Sequence, residues 1–135
     1  MKKFTLISSL YYTSAAYDGL LGLAFLSFPL TIFSWFGTTP PNHVGYVHFP
    51  AALLIVFALM FFNIARKPLR YRLLIPYGLL LKISYCSVVF WHWFSSGIPA
   101  MWKPFAVIDV LFAVLFAWTY LVLGQEAKVH GEGNR

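Results

Sequence analysis

The sequence predicts an all-α integral membrane protein, a single four-helix bundle, from three properties of the chain. Of its 135 residues, 60% are hydrophobic, 20% aromatic and only 10% charged, whereas soluble domains carry roughly 25% charged residues. The mean hydropathy is +0.73. The apolar residues form continuous runs, such as 51–62, and do not alternate with polar ones as in a membrane β-barrel. This composition also excludes disorder, and the single cysteine, Cys86, excludes a disulfide scaffold.

Four segments are long enough to cross a bilayer, whose hydrocarbon core needs about 20 apolar residues. Pro50, Pro76 and Pro104 lie near the starts of the last three segments, where a helix best tolerates a missing N–H. A short apolar piece, 30–36, is predicted to lie in the membrane interface or to fold back as a cap, and 125–135 is predicted to be a tail. The predicted spans are 4–28, 44–65, 73–94 and 105–123.

The basic residues predict the orientation of the bundle. Eight of the ten lysines and arginines fall on one side of the four-span layout, and Lys103 alone lies in a connection on the other side. The positive-inside rule therefore places both termini in the cytoplasm, with the inner membrane as the expected location. The net charge of +6 fits this rule and contact with anionic lipid, so no nucleic-acid partner is expected. A cleaved signal peptide over 1–16 is disfavoured because the apolar run continues to Phe28.

Three ionisable residues inside the predicted spans, Asp18, Lys82 and Asp109, are the first candidates for function. Each costs roughly 2.5–3.5 kcal/mol at the centre of a lipid-facing helix, so all three are expected to face the bundle interior. Counted along the helix from the outer ends of their spans, Asp18 and Lys82 lie about 15 and 18 Å deep and are expected to pair. Asp109 lies only about 6 Å deep, which groups it with His48 and His92 in an outer layer with no fixed cation opposite it.

Helical spacing predicts the inward faces of the four spans. Each span carries one stripe of small or polar residues, and Tyr85 is expected to reach between the two polar layers. The stripes are Tyr11, Ser14, Ala15, Asp18 and Gly22; His48, Ala52, Ile55 and Leu59; Gly78, Lys82, Tyr85, Val89 and His92; and Ala106, Asp109, Ala113 and Phe116.

The polar groups leave several kinds of site open. The central aspartate–lysine pair is either a packing pair that fixes the helix register or part of a proton or substrate site. His48 and His92 share a predicted depth that suits a bis-histidine haem, and His43 with Asp109 would add metal ligands. Histidines at the outer rim are also common as interfacial polar groups, so neither a cofactor nor a metal is assigned. Cys86 alone cannot run a thiol–disulfide relay, and no catalytic residue is assigned.

Five features cover nearly the whole chain: the span spacing, the Tyr-Asp-Gly-Leu-Leu-Gly run at 17–22, the basic turn at 66–72, Lys82 after Gly-Leu-Leu-Leu, and Asp109 in the last span. This layout resembles the DoxX-like group of small four-helix bacterial membrane proteins. The resemblance implies an accessory role beside quinone-linked or redox-stress systems.

Two other families are similar in dimensions. The sterol-isomerase-like, emopamil-binding bundle also has a buried polar centre, but its acid–base chemistry uses a histidine with glutamates. Here both glutamates, Glu126 and Glu132, lie in the tail. Small multidrug exporters have an acidic residue midway along the first helix, a role that Asp18 would take, although Lys82 would neutralise it.

We expect a protein, alone, as a homodimer or in a larger membrane complex, that binds a small hydrophobic or weakly ionised ligand such as a quinone or lipid. The ligand would occupy an interior polar pocket. The first alternative is a proton-coupled small-molecule exporter that uses the aspartate of the first span, and the second is a sterol-isomerase-like enzyme. The residues expected to bind the ligand or to carry a proton are Asp18, Lys82, Asp109, Tyr85, His48 and His92.

Overall fold

The computed structural model describes residues 1–132, which form α-helices joined by turns and by a nine-residue loop, 36–44. No strand occurs in this part, and 85% of these residues are helical, so the predicted all-α class is confirmed. Of the predicted tail, 125–132 continues the last helix and 133–135 lie outside the described residues. The helices are α1 (Lys2–Ser27), α2 (Pro29–Trp35), α3 (Gly45–Arg66), α4 (Ile75–Ser95) and α5 (Lys103–Glu132), and the 3₁₀ turns Arg72–Leu74 and Ala100–Trp102 precede α4 and α5.

Three stretches of helix are long and apolar enough to cross a bilayer: Gly45–Arg66, Arg72–Ser95 and Ala100–Gly131. A fourth candidate is counted when α1 and α2 are taken together as one bent span. These lengths and compositions are those of a membrane protein. The choice of membrane and the cytoplasmic position of the termini stay predictions.

Helix α1 ends in a sharp bend, since α2 turns away from it by 100°. Pro29 explains the break: it has no N–H to continue α1, but its fixed φ suits the first position of a new helix. Ile32 and Phe33 of α2 are buried, while Trp35 is exposed. The short helix therefore covers one end of the bundle with its apolar side.

The long helices pack as two pairs, α1 against α3 and α4 against α5. Small residues set the spacing of the first pair. A Cβ added at Gly22 would lie 2.7 Å from the carbonyl oxygen of Ala51, so only glycine permits this approach. In the second pair, the Cys86 thiol donates to the carbonyl of Ala106 at 3.4 Å and marks the register of α4 against α5.

One end of the bundle is charged and closed. Lys3 pairs with Glu126 at 3.1 Å, which places the start of α1 beside the end of α5. The Arg72 guanidinium donates to the carbonyl of Tyr120 at 3.1 Å and lies 4.2 Å from the centre of its ring. The core above this end is dense and largely aromatic, made of Ile7, Tyr11, Phe61, Ile64, Ala65, Ile75, Phe112, Phe116 and Leu123.

A buried hydroxyl pair ties α1 to α5 inside this core. The Thr119 hydroxyl donates to the carbonyl of Phe116, so Tyr11 is the donor in the 2.7 Å contact between the Tyr11 hydroxyl and Thr119 Oγ1. The Tyr11 ring also stacks on Phe116, with 4.9 Å between ring centres. The far end holds a second, smaller cluster, made of Phe25, Ile32, Phe33, Ala51 and Met101.

The predicted inward face is wrong for α3. Ala52 and Leu59 are exposed, the latter by 62%, and the buried positions are Ala51, Ala58, Phe61, Ile64 and Ala65. The other three stripes are largely buried, except that His92 is exposed. Between Phe49 and Phe62, α3 is apolar on all sides, so this part of its sequence marks no face, whereas each other span carries a charged residue that must point inward.

The ring of Phe61 packs directly against Gly78 and occupies the space that a side chain at position 78 would fill. A Cβ at position 78 would lie 2.5 Å from Cε1 of Phe61, and this fully buried ring has no room to move. We expect Gly78→Ala to lower the free energy of unfolding by about 1–3 kcal/mol through overpacking. Thermal unfolding in detergent would measure it.

Gly19→Ala is the matched control, because its Cβ would meet Ala58 at an ordinary 3.4 Å. Equal stability of the two variants would contradict the close packing of Phe61 against α4.

Candidate functional site

Three charged side chains from three helices meet near the middle of the bundle. Lys82 Nζ donates to both oxygens of Asp18, at 2.8 Å to Oδ1 and 3.0 Å to Oδ2. It also lies 3.1 Å from Oδ1 of Asp109, at ion-pair distance. The Lys82 and Asp18 side chains are each 1% exposed, and that of Asp109 is 10% exposed. One ammonium therefore serves two buried carboxylates, and the predicted Asp18–Lys82 pair is present.

Aromatic rings surround the ammonium on its remaining sides. The rings of Tyr17, Phe61 and Phe112 have their centres 5.5, 5.8 and 5.3 Å from Lys82 Nζ. Ring faces attract a cation while excluding water. Lys82 is thus held by two carboxylates and three rings contributed by α1, α3 and α5.

The prediction that Asp109 belongs to a separate outer layer with no fixed cation is wrong. Depth along a span gives the level of a residue in the bundle only when all helices begin level with the surface. Met101, in the turn just before α5, is fully buried, so α5 begins below the end of the bundle. The contact between Cys86 and Ala106 then sets Lys82, one turn earlier on α4, level with Asp109, one turn later on α5.

A cavity of about 550 Å³ opens above the three charged residues. This volume is within the range of small-molecule sites in proteins. Its polar floor includes Asp18 and Asp109, and every element at this end of the bundle contributes to its largely apolar wall. The wall includes Tyr17, Leu21, Phe25, Phe33, Tyr46, Val47, Pro50, Ala51, Leu54, Leu81, Tyr85, Trp102 and Phe105.

Two polar atoms beside the cavity have no hydrogen-bond partner among the described residues. They are Oδ1 of Asp109, whose contact with the ammonium of Lys82 lacks hydrogen-bond geometry, and the hydroxyl oxygen of Tyr17. Both residues line the cavity. Buried polar atoms are normally paired, so these two are candidates for contact with a bound molecule.

Of the remaining predicted residues, only Tyr85 lies at the cavity, where its hydroxyl donates to the carbonyl of Trp102 at 3.0 Å. This bond fastens the turn before α5 to α4. His92 is exposed, and its Nδ1 lies 3.2 Å from Ser96 Oγ. His48 is half-buried, its Nε2 has no hydrogen-bond partner among the described residues, and neither histidine belongs to the cavity wall.

The described residues contain no group of three or more histidine, cysteine, aspartate or glutamate side chains that could hold a metal ion. The Nδ1 atom of His43 accepts the backbone N–H of Gly45 at 3.0 Å, so it serves as a local turn contact. The alternative of a metal site that includes His43 and Asp109 is therefore not supported within the described residues.

Sequence reasoning missed the aromatic lining of the site. Phe112 could have been found, because it follows Asp109 by one helical turn and must share its face. Phe61 could not have been found in this way, because it lies in an apolar stretch of α3 with no charged residue to mark its face. The bend at Pro29 places Phe33 in the wall, and the turn before α5 places Trp102 there. Both depend on how the helices pack, which the sequence pattern of a single helix does not show.

Comparison of the chain with models of protein families, with curated proteins and with solved structures finds no match. The resemblance to the DoxX-like group stays a prediction.

The shared ammonium is expected to dominate the stability of the bundle. Lys82→Met keeps much of the side-chain volume but leaves two carboxylates buried without their cation. Removing one partner of a buried ion pair costs about 3–5 kcal/mol. We expect a loss of that size in the free energy of unfolding, measured by denaturant titration in detergent.

Lys103→Met provides the control, because the Lys103 ammonium lies over the ring of Trp93, at 4.7 Å, and outside the three-charge cluster. If both substitutions cost the same, Lys82 does not hold the bundle together.

Proposed function

We propose that the protein binds a small, mainly apolar molecule in the cavity between its two helix pairs. The observation that carries the proposal is the cavity itself: an apolar wall above a floor with two buried carboxylates, one of which has an oxygen that accepts no hydrogen bond from the described residues. Small-molecule sites commonly combine an apolar lining with a few fixed polar groups that orient the ligand.

The rim of the cavity supports access for a ligand dissolved in the membrane. Tyr46 and Leu53 contribute to the wall and are 70% and 40% exposed on the outside of α3. The apolar lining is therefore continuous with the outer surface of the helix. A hydrophobic molecule that has partitioned into lipid would reach the cavity without crossing a polar barrier.

The contacts favour binding over the two alternatives. An exporter that uses Asp18 needs this carboxylate to exchange protons, and both of its oxygens accept hydrogen bonds from Lys82. An isomerase-like site needs an acid–base group such as a glutamate, and Glu126 pairs with Lys3 at the opposite end of the bundle. We assign no catalytic step to the cavity.

Filling the cavity tests the proposal. Leu54 lines the cavity on α3, and a tryptophan there would occupy part of the space a ligand needs. With naphthylmethanol as a neutral aromatic probe and protein in phosphatidylcholine nanodiscs, we expect saturable binding to the unchanged protein. Leu54→Trp should weaken binding ten-fold or more, a loss of about 1.4 kcal/mol. Isothermal titration calorimetry, corrected with empty nanodiscs, would measure both.

Leu59→Trp is the matched control on the same helix, because Leu59 is exposed and does not line the cavity. It should bind the probe like the unchanged protein. Equal binding by Leu54→Trp, or no saturable binding by any of the three proteins, would overturn the proposal.

A further inference from the structure

The charges around the cavity do not balance. Two buried carboxylates, Asp18 and Asp109, are opposed by the single ammonium of Lys82, which leaves one excess negative charge when all three are ionised. Among the described wall residues of the cavity there is no lysine, arginine or histidine. An uncompensated charge in an apolar interior is unfavourable, so the site is expected to take up one positive charge.

The hydrogen bonds of the two carboxylates indicate that the excess negative charge lies on Asp109. Asp18 accepts two from Lys82, whereas Oδ1 of Asp109 accepts none from the described residues. Asp109 is also the more exposed of the two carboxylates and lines the cavity floor. A donor group that enters the cavity would therefore meet Asp109 first.

The wall suits an organic cation better than a bare metal ion. Hard cations need about six oxygen ligands, and this cavity offers the carboxylates amid mostly apolar side chains. Its aromatic members, among them Phe25, Phe33 and Trp102, present rings that attract organic cations and apolar bodies alike. An anionic ligand is disfavoured because the wall offers it no cation.

We propose that the ligand of this cavity is a lipophilic amine in its protonated form, with its N–H groups donating to Asp109 and its apolar body against the aromatic wall. This inference rests on the proposed function and deepens it by naming the ligand class. Tyr17, whose buried hydroxyl also has no partner among the described residues, lines the same cavity and would give an amine a second polar contact.

A matched pair of probes tests the inference. Naphthylmethylamine is protonated at neutral pH, and naphthylmethanol has nearly the same shape without the charge. In nanodiscs of zwitterionic phosphatidylcholine, corrected with empty nanodiscs, we expect the amine to bind at least about ten-fold more tightly, as charge-assisted hydrogen bonds are the stronger ones. Asp109→Asn should bring amine affinity down to that of the alcohol, because an amide carries no negative charge to pair with the ammonium.

Two further variants keep the test decisive. Glu126→Gln makes the same chemical change at the opposite end of the bundle, beside Lys3, and should keep the full preference for the amine. Asp18→Asn leaves one carboxylate for one ammonium, so it should also lower the preference. It replaces Asp109→Asn as the test if that variant fails to bind the alcohol and has thus lost the cavity.

The outcomes separate the two proposals. Equal binding of amine and alcohol by the unchanged protein overturns the amine class, while the cavity remains a binding site. Binding of neither probe overturns the proposed function and this inference with it. An amine preference that survives both aspartate substitutions overturns the role of the buried carboxylates.

Discussion

The buried ammonium of Lys82 is the constraint on which the rest of the structure depends. It extends from α4, pairs with Asp18 of α1 and Asp109 of α5, and lies against the ring of Phe61 from α3. All four long helices thus meet at one side chain. Because separating these charges in an apolar interior costs several kcal/mol, the helices cannot rotate or slide independently of one another.

This contact divides the molecule into two unlike halves. On one side, Tyr11, Phe61 and Phe116 pack ring against ring, and the charged helix ends close the bundle. On the other side, the bend at Pro29 and the buried turn before α5 frame a cavity of about 550 Å³. The same carboxylates that fix the helices form the polar floor of that cavity. A structural role and a binding role for the charged residues are therefore compatible.

The sequence predicted those features that depend on one helix at a time. Continuous apolar runs predicted the helices, and the cost of a charge in lipid predicted that Asp18 and Lys82 face inward and pair. It could not predict how deep each helix starts: the burial of Met101 sets α5 deeper in the bundle and brings Asp109 to the level of Lys82. The buried face of α3 could not be predicted either, because a segment that is apolar all round carries no pattern that distinguishes the buried side from the exposed side.

The most direct measurement is a solid-state NMR distance experiment on labelled protein in lipid bilayers. It would detect dipolar contacts between the side-chain nitrogen of Lys82 and the carboxyl carbons of aspartates. We expect contacts to both Asp18 and Asp109, since the ammonium lies 2.8 Å from one carboxylate and 3.1 Å from the other. A contact to Asp18 alone, with Asp109 remote, would contradict both the shared ammonium and the charged cavity floor built on it.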